Sequence, residues 1–274
     1  MAERSHSGNS AAPILCDLDG VVWLMHQPIP GSVDAVAALR AEGHRVLFVT
    51  NNSSATVADQ EEKLALIGIS ARGDVCTSAQ AAGSLLRPGE RVLVAGGPGV
   101  CEAVEAIGAV VVARSDDGRR NSGGDEIDPD IETVIVGYHD TFDYWSMSRA
   151  ATAVRHGARL IGTNDDATYP TPSGPIPGGG AILAAIATAA GVEPRIAGKP
   201  YRPMGDYVRE VLQMQDLSTL WMVGDRDSTD GAFARSINAR YALVLSGVST
   251  GPAIGQSPPD LVCADLAAFA EFLQ

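Results

Sequence analysis

Pro13-Ile14-Leu15-Cys16-Asp17-Leu18-Asp19-Gly20-Val21-Val22-Trp23 is an apolar run broken by two acids and a glycine. It predicts a buried strand that delivers both carboxylates to its carboxyl end, with Gly20 letting the backbone turn away at once. Acids clustered this tightly usually sit in solvated loops. Here they interrupt apolar residues, so something must offset their desolvation, and a bound cation is the obvious partner. Asp-x-Asp-Gly is short enough to arise by chance, so its weight depends on the other motifs of the chain.

Strand-like and helix-like runs alternate after it, which points to an α/β chain with a parallel sheet. A helix is predicted over 32–42, closed by Gly43, then a buried strand over 45–49 that ends at Thr50-Asn51-Asn52-Ser53. Helices are predicted next over 56–67 and 79–86. Strands over 91–95, 109–113, 133–137 and 159–163 then alternate with helices over 99–107 and 144–156, and a polar, charged loop is expected over 114–128. This block has its own alternation and apolar content, so it reads as an inserted domain over 83–180, with Gly178-Gly179-Gly180 as a hinge. The main domain takes 13–82 and 181–274, its later strands predicted over 195–197, 219–223 and 241–245. Residues 1–12 are small and polar and read as a disordered tail, not a signal peptide.

The 274 residues carry a formal net charge of −13, with 45% hydrophobic and 19% charged residues. That balance suits a core-forming globular protein and argues against nucleic-acid or anionic-membrane partners, which need basic surface. No apolar stretch is long enough to span a bilayer, so a soluble, cytoplasmic protein is expected. Cys16, Cys76, Cys101 and Cys263 are scattered and read as reduced, buried thiols.

Four strand ends carry suggestive chemistry, and ligands of open α/β sheets sit at such ends. Thr50-Asn51-Asn52-Ser53 could hold phosphoryl oxygens through backbone N–H groups, or could simply cap a helix. Gly198-Lys199-Pro200 could neutralise a negative intermediate, or Lys199 could be an ordinary surface lysine. Gly224-Asp225-Arg226-Asp227-Ser228-Thr229-Asp230, after an apolar strand, suggests the second half of a carboxylate metal site.

In this order these stretches resemble the haloacid dehalogenase superfamily of phosphatases, and more finely its type IIA, 4-nitrophenyl-phosphatase-like branch. Pro177-Gly178-Gly179-Gly180-Ala181 and Leu245-Ser246-Gly247-Val248 match as well, so the resemblance runs from about Pro13 to Gly251. It implies a Rossmann-like parallel-sheet core with an inserted αβ cap. It also implies a Mg²⁺-dependent hydrolase of a small phosphorylated metabolite working through an aspartyl phosphate. Asp17 would be the nucleophile and Asp19 the general acid, then base. Mg²⁺ would be held by Asp17, the Asp19 backbone carbonyl and Asp225, with Asp230 and Asn52 supporting from behind. Thr50, the Asn51 amide and Lys199 would bind the phosphoryl oxygens. The cap segment Thr163 to Pro170 matches the loop that faces the site, making Asn164 and Asp166 candidates for substrate or loop-positioning contacts, against an ordinary Asn- and Asp-rich turn. A homodimer through the cap is implied by resemblance alone.

Two other readings stand beside this one. A phosphotransferase would pass the aspartyl phosphate to an acceptor other than water. A silent phosphometabolite-binding protein would have no reason to keep Asp17, Asp19, Lys199 and Asp225. The chain departs from the family's fourth motif at Asp227-Ser228 and at Gly231, where a branched apolar residue is common. Val94-Ala95-Gly96-Gly97-Pro98-Gly99 resembles a nucleotide-binding glycine turn, but lacks the dinucleotide spacing, and Pro98 removes an amide donor. Cys16 reads as a buried packing residue, Trp23 could line the site entrance or pack after the tight turn, and His139 and His156 read as surface or helix-end residues.

Overall fold

The computed structural model describes residues 11–117, 130–169, 171, 174–255 and 257–274. Residues 1–10 of the tail predicted over 1–12, and 118–128 of the loop predicted over 114–128, lie outside the described residues. Six strands form one parallel sheet in the order Leu261–Cys263, Arg240–Val244, Trp221–Gly224, Ile14–Cys16, Val46–Thr50 and Val75–Thr77. The Ile14–Cys16 and Val46–Thr50 strands are buried along their whole length, as strands covered on both faces must be. All six run the same way, so Asp17, Asn51 and Asp225 emerge at one edge.

Five strands make a second parallel sheet: Arg195–Ile196, Arg159–Gly162, Thr133–Val136, Arg91–Ala95 and Val110–Arg114. This corrects two expectations. The strand at 195 does not join the Asp17 sheet but pairs with Arg159–Gly162. The Gly179–Ala190 helix buries Ile182, Leu183 and Ile186 in one apolar cluster with Ala150, Ala151 and Val154 of the Tyr144–Arg155 helix. The inserted layer therefore continues to Ile196 instead of ending at residue 180.

The glycine triplet lies at the start of the Gly179–Ala190 helix and not at the return to the main sheet. A Cβ on Gly178 would fall 2.4 Å from the Asp166 carbonyl oxygen, and one on Gly180 would fall 2.2 Å from the Asp165 carbonyl carbon. Glycine is there because two backbones touch.

The same economy joins the two sheets elsewhere. A Cβ on Gly97 would lie 2.6 Å from the Ser54 carbonyl oxygen, and one on Gly99 would lie 2.1 Å from that of Ala55. The Gly99 N–H donates to the Ser54 carbonyl at 2.9 Å. The glycine turn at 96–99 is thus a packing joint between the layers. Leu15 and Leu47 of the first sheet share one buried cluster with Val92 and Ile135 of the second. Cys16, Cys76, Cys101 and Cys263 are free thiols. Among the described residues, no helix is long and apolar enough to cross a membrane.

Candidate active site

Asp17 comes directly after its strand, and its backbone N–H donates to the Val223 carbonyl at 2.9 Å. That bond locks the Asp17 strand end to the one that carries Asp225. Gly20 has φ 88°, and a side chain there would press on Asp225, its Cβ 2.4 Å from Oδ2. Gly247 approaches from the other side, where a Cβ would sit 2.0 Å from the same oxygen. Asp225 Oδ2 accepts a 2.6 Å hydrogen bond from the Val248 N–H. Asp225 is seated between two glycines because nothing larger fits.

Lys199 is not a surface lysine: its side chain is 2% exposed. Its Nζ donates to Asp17 Oδ1 at 2.8 Å and to Asp230 Oδ1 at 2.7 Å. The other Asp230 oxygen accepts from the Arg226 N–H at 3.1 Å. Both Asp230 oxygens are therefore engaged, which suits a supporting role.

Asp17, Asp225 and Asp230 bring carboxylate oxygens within 4.8 Å of one another. Three acids facing one ammonium leave a surplus of negative charge in a buried place. Burial pushes the Asp17 carboxyl well above the usual carboxylate range, against the pull of Lys199. Burial, then Asp230, raises Asp225 to about 6. For Lys199, burial acts to lower its pKa, but Asp17 and Asp230 outweigh it and keep the ammonium charged. Such a cluster takes up protons when nothing else neutralises it, and a hard divalent cation on oxygen ligands would replace them. The donor set fits Mg²⁺. Asp19, two residues on, is pushed up to about 6 by burial, with the Trp23 indole and Lys199 pulling the other way. That value lies where a carboxyl can both give and take a proton near neutrality.

Thr50 to Ser53 do not cap a helix. The next helix, Val57–Leu66, is capped by Thr56 in a reciprocal box with Asp59. Thr50 Oγ1 instead accepts from the Asn52 N–H at 3.0 Å, and Asn52 Oδ1 from the Ser54 N–H at 3.1 Å. The Asn51 carboxamide is fully used. Its Nδ2 donates to Asp166 Oδ2 at 2.9 Å and to the Lys199 carbonyl at 3.0 Å, while its Oδ1 accepts from the Lys199 N–H at 2.8 Å.

From the second layer, Asn164 donates to the Asn51 carbonyl at 2.8 Å and accepts from the Asp166 N–H at 3.1 Å. Asn164 and Asp166 do reach the cavity, but these hydrogen bonds tie the cap loop to the core. Burial raises the Asp166 pKa, with Asn51 the largest opposing influence.

Asp17, Asp19, Thr50, Asn51, Asn52, Asn164, Asp166, Lys199 and Asp225 line one cavity of about 220 Å³, as do Tyr138, Tyr169, Leu24, Arg226, Thr229 and Val248, while Asp230 stands behind it. Tyr138 and Tyr169 stack with ring centroids 6.2 Å apart. Sequence reasoning assigned these six no role. Tyr169 and Arg226 lie within the cap-loop and fourth motifs, but nothing local marks Tyr138. His139 is a correction: it is buried, and burial lowers its pKa. His156 caps a helix end as expected. Trp23 does not line the entrance: it is 1% exposed and packs in the core. Burial raises the Cys16 thiol far above its usual range, which makes it inert.

Among known proteins, residues 14–110 match the haloacid dehalogenase-like hydrolases, and residues 196–269 match a second, HAD-hydrolase-like family. The chain is 36% identical over 242 residues to the D-glycerol 3-phosphate phosphatase of Mycobacterium tuberculosis, covering 86% of this chain and 64% of that protein. It is 32% identical to the acid sugar phosphatase of Staphylococcus saprophyticus, covering 92% and 94%. The crystal structure of a glycerol phosphate phosphatase from Mycobacterium tuberculosis in complex with magnesium superposes with a TM-score of 0.81, at 33% identity, over 94% of this chain and 76% of that one. Sharing nearly the whole length of such a relative, and superposing closely on such a structure, the chain belongs to the haloacid dehalogenase-like hydrolases, in their type IIA branch.

Proposed function

We propose that the chain is a Mg²⁺-dependent phosphatase of a small phosphomonoester, with Asp17 as nucleophile. One observation carries this reading: Asp17 is held by a buried lysine, beside Asp225, with Asp19 two residues further on. Asp17, Asp225 and the Asp19 backbone carbonyl would hold a Mg²⁺ ion, which would supply the charge that lets a carboxylate approach a phosphate dianion.

Lys199 keeps one Asp17 oxygen fixed, so the other attacks phosphorus in line. As the new O–P bond forms and the ester bond breaks, Asp19 gives its proton to the leaving alkoxide. Asp19, now a carboxylate, takes a proton from water. The resulting hydroxide attacks the aspartyl phosphate, releasing inorganic phosphate and restoring the Asp17 carboxylate. The Thr50 hydroxyl, the Asn51 backbone N–H and Lys199 hold the equatorial oxygens. Asp230 orients Lys199, and Asn52 shapes the turn after Thr50. Asn164 and Asp166 dock the cap loop onto Asn51.

The cavity is below the usual range for drug-sized ligands, which favours a compact ester. The relatives named for glycerol phosphate and for acid sugar phosphates point to the same size class. Phosphate release from a panel of such esters, with and without Mg²⁺, tests the reading. Metal-dependent turnover is expected for the wild type and none for Asp17→Asn. Full activity in Asp17→Asn would refute the covalent route, and release of no ester by folded, Mg²⁺-loaded protein would refute the phosphatase reading.

A further inference from the structure

Asp227 opens a single π-helical turn, Asp227–Gly231, that carries Asp230 at its fourth position. Such turns are rare and concentrate at functional sites. Asp227 is 4% exposed, and its Oδ1 lies 3.1 Å from Nη1 of Arg235. Nη2 of Arg235 donates to the Asp227 carbonyl at 3.2 Å, and Nη1 also reaches the Ser257 carbonyl at 3.3 Å. One guanidinium therefore holds both the side chain and the backbone of the residue that starts the turn.

Position 231 is coupled to this pair by space. A Cβ on Gly231 would fall 2.1 Å from Asp227 Oδ1, 2.8 Å from Tyr241 Cε1 and 3.2 Å from Arg235 Nη1. The chain's two departures from the fourth motif are thus one: the acid occupies the room that a side chain at 231 would need. As a stability device it is poor. Asp227 Oδ2 has no hydrogen-bond partner among the described residues, and a buried ion pair with an unmet oxygen seldom outperforms apolar packing. What an ion pair does better is fix one geometry.

We propose that Asp227 and Arg235 are a positioning pair that clamps the turn so that Asp230 meets Lys199 and Asp225 faces Asp17, and that Gly231 is required to admit it. The inference rests on the reading of Asp17 and Asp225 as holders of Mg²⁺. Residues that support metal ligands from behind typically change metal affinity or activity by 10- to 100-fold when altered.

The test uses Asp227→Asn, Arg235→Lys, Gly231→Val and the double variant Asp227→Ala/Gly231→Val. Mg²⁺ binding is measured by calorimetry, thermal unfolding without metal is followed, and kcat and KM are determined. Asp227→Asn is expected to stay folded, bind Mg²⁺ about tenfold more weakly and lose kcat more than KM. Arg235→Lys, keeping the charge, should lose less. Gly231→Val should unfold at lower temperature or fail to fold, and the double variant, which removes the Asp227 carboxylate but leaves Tyr241 in place, should recover part of that loss. Unchanged Mg²⁺ affinity and kcat in folded Asp227→Asn would reduce the pair to packing and overturn the proposal. Wild-type stability in Gly231→Val would overturn the spatial coupling. A wild type that binds no Mg²⁺ would defeat the functional reading instead, and the unfolding comparison would still decide the coupling of 227 to 231.

Discussion

Lys199 lies 2.8 Å from Asp17 and 2.7 Å from Asp230, with almost no access to water. Replacing it by methionine keeps much of the volume but removes the cation that sits between two buried acids. Breaking a buried pair in this way costs about 3–5 kcal/mol when the partner stays charged. Lys199→Met should therefore lose stability at pH 7.5, and lose less at pH 5, where the acids can take up protons instead. Its kcat should fall by at least about 100-fold, since it would also lose a donor to the transferring phosphoryl group. Urea unfolding at both pH values, beside a phosphate-release assay, checks this; an equal loss at pH 5 and 7.5 would count against it.

The metal-free wild type carries a related signature. Asp19 and Asp225 are raised from 3.8 to about 6, so the folded state binds more protons than the unfolded one between those values. Stability must then fall as pH rises from about 4 to about 6, by about 3 kcal/mol from Asp19 alone, with the raised Asp17 adding to the fall. Added Mg²⁺ should flatten the fall. Denaturant midpoints with EDTA and with Mg²⁺ across that range provide the measurement, and a rise in metal-free stability over it would contradict the site's charge balance.

Gly97 and Gly99 do for the elements what Lys199 does for the site. Gly99→Ala would drive a methyl to 2.1 Å from a backbone oxygen that no rotamer change can move. Overpacking of that kind costs about 1–3 kcal/mol. Gly251→Ala, with nothing within 4 Å of its Cβ and no positive φ, is the control. Thermal unfolding should show a clear drop for the first and almost none for the second; equal midpoints would mean that the two layers pack loosely at this joint. This joint also shows where sequence reading stops. The buried strands were legible because parallel strands covered on both faces are continuous apolar runs, as in Val46–Thr50. Asp17 and Asp225 were legible because each comes after such a run, and Lys199 because it follows Ile196-Ala197 between a glycine and a proline. The partner of Arg195–Ile196 was not, since two residues carry no pattern that selects one sheet over another. The sequence argued against nucleotide binding at the glycine turn but could not show what the turn does, because its contacts, Ser54 and Ala55, lie more than forty residues earlier. Asp227 and Gly231 looked like unrelated departures until the turn brought them together.

At the scale of the whole molecule, a chain of net charge −13 must admit a phosphate dianion to its cavity. Lys199 and Arg226 are the basic side chains lining that cavity, and each faces an acid, Asp17 for one and Asp166 at 3.9 Å for the other. The approach is therefore governed by the repulsive field of the molecule, and capture by the Mg²⁺-loaded site comes only at short range. The Debye length shrinks from about 30 Å at 0.01 M salt to about 8 Å at 0.15 M, so salt screens the distant charges far more than the local ones. Raising ionic strength over that range, at constant free Mg²⁺, should raise kcat/KM for a phosphomonoester by roughly two- to fivefold, chiefly through KM. A sugar-acid phosphate with an extra carboxylate should respond more than glycerol phosphate, because each added charge feels the same field. Initial rates in varied NaCl with both esters make the comparison. A fall in kcat/KM with salt would mean that the local positive groups dominate even at long range, and that the chain's acidic balance has no part in choosing its substrate.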